Sequence, residues 1–584
     1  MKNSASSRRR FLAQCAGLGL GSTLLPGVLW AKMDEQGATA ITPAILQDAA
    51  AVAGLSFSDE ELSGILQAVN QNLGRYAALR RIEIPNSVSP PFAFNPLVPG
   101  MVVDRTPVPP KWSHPPALGR PGNLEDTAFW PVTQLAELIR TRVVTSAELT
   151  EMYLARLRRL NAKLNCVVTF LDDVAREQAK RADEEIAAGH YRGPLHGIPW
   201  GAKDIIAFKG YKTTWGSGAF QDQRIDEDAS VIEILRDAGA VLLAKLATGE
   251  LAGGDQWFGG RTNNPWKLDQ GSSGSSAGPA SATAAGCVGF AIGSETSGSI
   301  LSPTARCGCT GLRPTFGRVS RHGVMTLSWT QDRLGPFCRA VEDCALVLSV
   351  IARPDGRDLS VSDIPFNWDA SAGLGGIRVG YLKEAFEDSR ERDPAWIAND
   401  RRAIEALRAL GITLVPISVP DRFGEVTSIS VEAAVSFDAF LRSGRTQYLT
   451  LKNRAVQFRS ARFVPAVEYL QSQRVRSMMM QDLADATAGV DVYLAPSTNA
   501  SARPEGAAAA AAAASSPTQN LAQQHFRMAN LACYPGLGLP HGFAANGTPT
   551  SITFMGRPFG EAKVLAVAKA YQDATDFHLK HPVL

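Results

Sequence analysis

Residues 271–286 read GSSGSSAGPASATAAG, sixteen positions in which no side chain is larger than threonine or proline. A flexible Gly/Ser linker would account for that composition, but the chain runs straight on through SATAAGCVGFAIGSE (281–295) into apolar sequence of helical and strand character. The stretch is therefore expected to be buried. Buried hydroxyls need partners, because each unsatisfied polar group costs roughly 1–3 kcal/mol.

Two arrangements compete to supply those partners. Gly274-Ser275-Ser276-Ala277-Gly278 satisfies G-x-S-x-G, the short pattern of a nucleophile elbow. That reading needs a strand directly before it and a His–acid pair behind it. The preceding NNPWKLDQGSS (263–273) has no strand character, and nothing singles out His525 or His541. The second arrangement draws on two other stretches. Ser299 lies in GSETSGSI (293–300), a small-residue turn whose backbone N–H groups can converge on one point. Lys203 lies in GPLHGIPWGAKDIIAFKG (193–210), where it ends a strand-like apolar run between Gly-rich turns and is well placed for burial. The result is a Ser-Ser-Lys set.

Around these motifs, helical and strand patterns alternate from about residue 124 onward. Thr145-Ser146-Ala147-Glu148 matches a capping box, and Leu149, Met152, Tyr153, Leu157 and Leu160 follow at helical spacing. Helices are also predicted over 172–188 and 228–238. The second of these ends at Gly239 and passes directly into the strand-like AVLLAK of 240–245. Helix, Gly turn and strand in succession argue for an α/β layer fold. Farther forward, 43–81 carries a helical pattern with a start signal at Ser58-Asp59-Glu60-Glu61. Eleven prolines then fall between Pro85 and Pro121, which excludes regular helix there and predicts an extended strap. The expected organisation is an address segment over 1–40, a helical segment over 41–84, the Pro-rich strap over 85–123 and a catalytic domain over 124–584. The eight consecutive alanines in RPEGAAAAAAAASSP (503–517) offer no atom suited to chemistry.

Taken together, GPLHGIPWGAKD, NNPWKLDQGSSGSSAGPASATAAG and GSETSGSILSPTARCGCTGLRPTFGRVSRHG resemble, in order and spacing, the motifs of the amidase signature family. Two C-terminal stretches, MANLACYPGLGLPHGF (528–543) and ITFMGRPFGEAKVLAVAKAY (552–571), share the resemblance, which covers about 124–584. It implies a mixed twisted β-sheet core covered by helices on both faces. It further implies Ser299 as nucleophile, Ser275 as bridging serine after a cis Gly274–Ser275 bond, and Lys203 as base. The N–H groups of Thr296, Ser297, Gly298 and Ser299 form the oxyanion hole on the same ground. Chemistry fits these roles. A serine hydroxyl is a weak nucleophile until a base takes its proton, and a lysine serves only when burial lowers its pKa from about 10.4 toward roughly 7–8. The implied reaction is acyl transfer from an amide to water without metal or organic cofactor.

This chain departs from the family pattern near the nucleophile. Ser297-Gly298 stands for the usual Gly-Gly, Leu301 for an Arg, and Glu295 for an Asp. Loss of the Arg removes a charge that can pair with the acidic residue, and the acyl pocket is expected to differ. Asp204 is expected to turn away from Lys203, because strand neighbours alternate.

Composition excludes other classes. The net charge of +3 is carried by residues 1–40, where five basic residues face two acidic ones, so the remainder is formally neutral and offers no overall basic face for nucleic acid. Ser7-Arg8-Arg9-Arg10-Phe11-Leu12 before a Gly-broken apolar run, with Ala38-Thr39-Ala40 as cleavage site, resembles a twin-arginine export signal. The expectation is a periplasmic or extracellular protein, membrane-associated only if the signal stays uncleaved. Of eight cysteines, seven lie beyond the signal, and their spacing fits neither a disulfide framework nor a zinc site. Cys307-Gly308-Cys309 reads as a buried pair rather than a metal site. The leading expectation is an exported amidase whose partner is a small carboxamide or substituted amide. The alternatives are a non-catalytic exported binding protein and a glutamine-hydrolysing amidotransferase A-type subunit.

Overall fold

The computed structural model describes residues 40–82, 94–390, 392–419, 421–424, 429–497 and 520–584. The segment 1–40 expected to be an export signal, except Ala40, the start of the Pro-rich segment and the alanine run lie outside the described residues. The described residues form two compact units, one drawn from 1–92 with 422–478, the other from 93–421 with 479–584.

The first unit is helical. Ser58 caps the helix Asp59–Arg80 with a complete capping box: its hydroxyl accepts the Glu61 N–H, and the Glu61 carboxylate accepts the Ser58 N–H. This helix and Pro43–Val52 bury Ile45, Leu46, Leu62, Ile65 and Val69 in one apolar cluster with Phe463.

Among the described residues, fifteen strands form the β-structure of the second unit. They are β1 (Val167–Phe170), β2 (Pro199–Lys203), β3 (Val241–Leu246), β4 (Gln256–Trp257), β5 (Gly260–Arg261), β6 (Asn263–Asn264), β7 (Lys267–Gly271), β8 (Phe290–Glu295), β9 (Thr310–Arg313), β10 (Arg333–Cys338), β11 (Val379–Leu382), β12 (Leu414–Ile417), β13 (Val492–Pro496), β14 (Gly536–Phe543) and β15 (Pro549–Gly556). Eleven make one sheet in the order β1-β3-β2-β8-β10-β9-β14-β15-β13-β11-β12, and β4–β5 and β6–β7 are separate ribbons. β2 pairs in parallel with β3 and β8, whereas β8 pairs antiparallel with β10, so the sheet is mixed. Every residue of β2, β3, β8, β10 and β13 is buried, which requires cover on both faces of these central strands. The α/β architecture expected from the sequence is the one observed.

Local signals place the flanking helices closely. Thr145 and Glu148 form a reciprocal box at the start of Ser146–Leu164, and the 172–188 prediction corresponds to Asp172–Ala187. The 228–238 prediction is Ser230–Asp237, followed through left-handed Gly239 (φ +79°) by β3. Described parts of the strap have no helix. They attach through the Val108 N–H to Asn367 Oδ1 (2.9 Å) and Lys111 Nζ to Asp369 Oδ2 (2.7 Å).

The small-residue stretch forms the helix Ala277–Ala284 and leads into β8. Its lack of bulk has a steric cause at Gly278, where a Cβ would lie 2.4 Å from the Ala247 nitrogen and 2.6 Å from the Cys166 carbonyl oxygen. Both neighbours are backbone and cannot swing aside. Gly278→Ala is therefore expected to destabilise the fold by about 1–3 kcal/mol, read as a lowered urea midpoint. An unchanged midpoint would show that this helix can shift freely against β3.

Candidate active site

Lys203 is the last residue of β2 and is fully buried. Its Nζ lies 2.7 Å from Ser275 Oγ, 2.9 Å from Ser294 Oγ and 3.1 Å from Ser276 Oγ. Burial pushes its pKa down to about 7, against a smaller opposite pull from Asp332 and Glu295. A lysine in this state exchanges a proton near neutrality.

Ser275 follows a cis Gly274–Ser275 bond, and its carbonyl accepts the Gly249 N–H at 3.1 Å. Ser276 is fully buried, and its hydroxyl donates to the Ser294 carbonyl (3.0 Å) while accepting the Ser294 N–H (3.1 Å). The Ser276 N–H donates to the Ser299 carbonyl at 3.2 Å, which brings the 293–300 turn against the serine pair. Ser299 is half-buried between β8 and the helix Leu301–Cys307, and its hydroxyl has no hydrogen-bond partner among the described residues. Of the sequence-derived set, Lys203 and Ser275 are joined side chain to side chain, and Ser299 joins through backbone.

The turn ahead of Ser299 is built around Gly298, which takes a left-handed φ of +95° with Ser302 Oγ only 3.0 Å from where a Cβ would stand. Thr296 is buried and donates its hydroxyl to Asp332 Oδ1 (2.5 Å), while Ser297 is exposed. Burial raises the Asp332 carboxyl above its ordinary range. Ile205, Ala252, Val324, Met325 and Leu334 wall a narrow cleft that begins at Ser294 and Thr296. Arg321, Thr326, Asp332 and Arg333 line it as well, so the wall mixes apolar and charged side chains.

Two expectations need correction. The segment before the small-residue stretch does contain a strand, β7, in a ribbon with β6. The elbow reading still fails, since the Ser276 hydroxyl is committed to Ser294 and the histidines are engaged elsewhere. His525 Nε2 lies 3.2 Å from Tyr493 Oη, and His541 bridges Asp400 (2.9 Å) and Thr550 (3.1 Å). Burial lowers the His525 pKa to about 3, which leaves it too weak a base for such a role at neutral pH. The second correction concerns Glu295, which does not lose its cationic partner with the Arg-to-Leu departure. Arg313 on β9 donates Nη1 to Glu295 Oε1 at 2.9 Å, both fully buried.

Ser276 and Ser294 are the partners that sequence reasoning missed. Ser294 stood inside the quoted GSETSGSI motif, but its contact with Lys203 depends on β2 and β8 being parallel neighbours. Asp204 turns away from Lys203 as alternation requires and pairs with Lys245 Nζ at 2.9 Å, both side chains fully buried. Lys245→Met leaves that carboxylate buried and unpaired, an expected cost of about 3–5 kcal/mol in urea unfolding. A cost below roughly 1 kcal/mol would mean that water reaches the pair.

The seven described cysteines are free and buried, and burial pushes the Cys309 thiol up to about 12. Among the described residues, no group of three or more acidic, His or Cys side chains is arranged to hold a metal, and no helix is long and apolar enough to cross a membrane.

Fold and site together define an enzyme class built on a mixed sheet with a buried lysine among serines. The sequence model of the Amidase family matches residues 148–565, and the chain belongs to that family. More particularly, it is 35% identical over 484 residues to the A-type subunit of glutamyl-tRNA(Gln) amidotransferase from Methylococcus capsulatus, covering 77% of this chain and 98% of the relative. The corresponding protein of Roseiflexus castenholzii is 34% identical over 483 residues, covering 77% and 97%. Among solved structures, native peptide amidase from Stenotrophomonas maltophilia superposes with a TM-score of 0.64 at 29% identity, covering 77% of this chain and 97% of that one.

Proposed function

We propose that this protein is a serine-dependent amide hydrolase working through an acyl-enzyme on Ser299. The observation that carries the proposal is the fully buried Lys203, held near neutrality and 2.7 Å from Ser275 Oγ. A neutral amine has two N–H groups and one lone pair. The Ser276 proton is committed to the Ser294 carbonyl, so Ser276 accepts from Lys203. With Ser294 Oγ taking the second N–H, the lone pair faces the Ser275 hydroxyl. As Ser299 Oγ attacks the amide carbon, its proton passes to Ser275 and the Ser275 proton to Lys203. The reverse relay protonates the departing amine, and water then cleaves the ester. The N–H groups of Thr296, Ser297, Gly298 and Ser299 receive the oxyanion, each such donor contributing about 3–4 kcal/mol.

The cleft is lined by Arg321, Asp332 and Arg333 as well as by apolar side chains, and Arg321 is already engaged by Asp358 Oδ2 (3.1 Å) and Ser360 Oγ (2.8 Å). The curated relatives favour a second reading, release of ammonia from glutamine within an amidotransferase. The export-type segment over 1–40 opposes it, and we propose a periplasmic or extracellular location tested by cell fractionation of an Arg8→Lys/Arg9→Lys variant. For the chemistry itself, the protein lacking residues 1–40 is treated with a fluorophosphonate and the adduct mapped by mass spectrometry. An adduct on Ser299 supports the hydrolase, and one on Ser276 overturns the assignment. Absence of any adduct in folded protein supports a non-catalytic binder. Glutaminase activity exceeding turnover of neutral amides decides for the amidotransferase reading.

A further inference from the structure

The four-residue turn from Thr296 to Ser299 is gripped at both ends by buried charges. At its exit, Glu295 Oε2 accepts the Ile300 N–H (2.8 Å) and the Leu301 N–H (2.9 Å), while Oε1 takes Arg313 Nη1. At its entry stands Arg333, directly opposite Glu295 in the antiparallel pairing of β10 with β8. Arg333 Nη2 donates to the Thr296 carbonyl at 2.8 Å and to Asn530 Oδ1 at 3.2 Å. Asn530 Oδ1 also accepts Arg313 Nη1 at 3.0 Å, so the two grips meet at one side chain.

Glu295 and Asp332 both favour the charged form of Arg333, but neither touches it. Arg313 answers Glu295, and Arg333 has no carboxylate in ion-pair contact among the described residues. It is 2% exposed, and its Nε and Nη1 have no hydrogen-bond partner among the described residues. Asp332, the nearest acid in sequence, spends its oxygens on the Thr296 hydroxyl and on the Leu327 and Ser328 N–H groups. A guanidinium buried with two nitrogens unmatched costs stability, so its retention calls for a return elsewhere. The bond it makes suggests one. The Thr296 carbonyl and the Ser297 N–H belong to the same planar peptide unit, and a charged donor on the oxygen polarises that unit and strengthens its N–H as a donor.

We propose that Arg333 is a positioning residue for oxyanion stabilisation, fixing and polarising the Thr296–Ser297 peptide unit through its bond to the Thr296 carbonyl. The inference rests on the acyl-transfer reading of Ser299. It assigns a role to a residue outside the small-residue motifs, and explains why a cation sits beneath the turn although position 301 no longer supplies one.

The test measures fluorophosphonate capture by Ser299, resolved into the maximal inactivation rate and the half-saturating concentration, with thermal unfolding in parallel. Arg333→Met is expected to lower the maximal rate about 10- to 100-fold, below the effect of deleting an oxyanion donor outright, with half-saturation and Tm little changed. Arg333→Gln keeps an uncharged donor to the carbonyl, and an intermediate loss is expected. It also carries the test if the methionine variant does not fold. Wild-type rates in either folded variant overturn the inference, as does a loss that appears only in half-saturation or only alongside a collapsed Tm. A wild-type protein unlabelled at Ser299 overturns the hydrolase reading itself and this inference with it, so the two failures are distinguishable.

Discussion

Ser299→Ala is expected to lower kcat/KM for any amide substrate by at least about 10⁴-fold, the scale on which loss of an enzymatic nucleophile is felt, while Tm stays close to that of the wild type. Both halves follow from the surroundings of one oxygen. The hydroxyl is half-buried and has no hydrogen-bond partner among the described residues, so its removal strands no buried donor or acceptor. Ser276→Ala should behave in the opposite way. Its hydroxyl serves both the Ser294 N–H and the Ser294 carbonyl as well as Lys203, so the expected result is a lowered Tm with the adduct still forming on Ser299. Steady-state kinetics, intact-protein mass after fluorophosphonate treatment and thermal unfolding separate the two variants. Retained turnover in Ser299→Ala, or an adduct that disappears only in Ser276→Ala, would overturn the assignment of roles.

Local chemistry is what the sequence displays most openly. Caps at Ser58 and Thr145 act over three residues, and Gly239 ends its helix where the left-handed conformation is needed, so each is visible without knowledge of the fold. Burial of the 271–286 stretch was legible for a related reason, since its neighbours in sequence are core elements. The partners of Lys203 were legible only in part. Ser275 came through the resemblance of ordered motifs, whereas Ser276 and Ser294 reach the amine because β2, β8 and the following turns converge in space. Arg313 stood inside the quoted 293–323 stretch without any local sign of its partner, and Arg333 lies outside every quoted motif. They belong to β9 and β10, and their meeting with Glu295 and Asn530 is set by strand pairing and by the packing of the helix Leu521–Leu531. The strand β7 was missed because a five-residue ribbon containing Lys, Asp and Gln has none of the apolar alternation that marks a sheet strand.

Lys203 should write its own signature into the pH dependence of catalysis. Only the neutral amine can take the Ser275 proton, and burial sets its pKa at about 7. Below that value the folded enzyme carries an ammonium and the relay is blocked, so kcat/KM is expected to fall about tenfold per pH unit toward acid and to level off above about pH 8. Asp332 and Glu295 face the amine electrostatically, and both favour its charged form. The Asp332 carboxyl is itself held above the usual carboxylate range by burial, and its protonation toward acid would weaken that support and lower the lysine pKa. The limb is therefore expected at or slightly below neutrality, never above the ordinary lysine range. Lys203→Ala should lose about 10²–10⁴-fold in kcat at neutral pH and lose the limb as well. Lys203→Arg provides the stricter control, because a guanidinium stays protonated to above about pH 12 and should give no plateau at any accessible pH. Profiles of kcat/KM between about pH 5 and about pH 9 decide the matter. An acid limb that persists unchanged in Lys203→Ala would assign the titration to another group, and a flat wild-type profile would mean that proton transfer to this lysine does not limit the reaction.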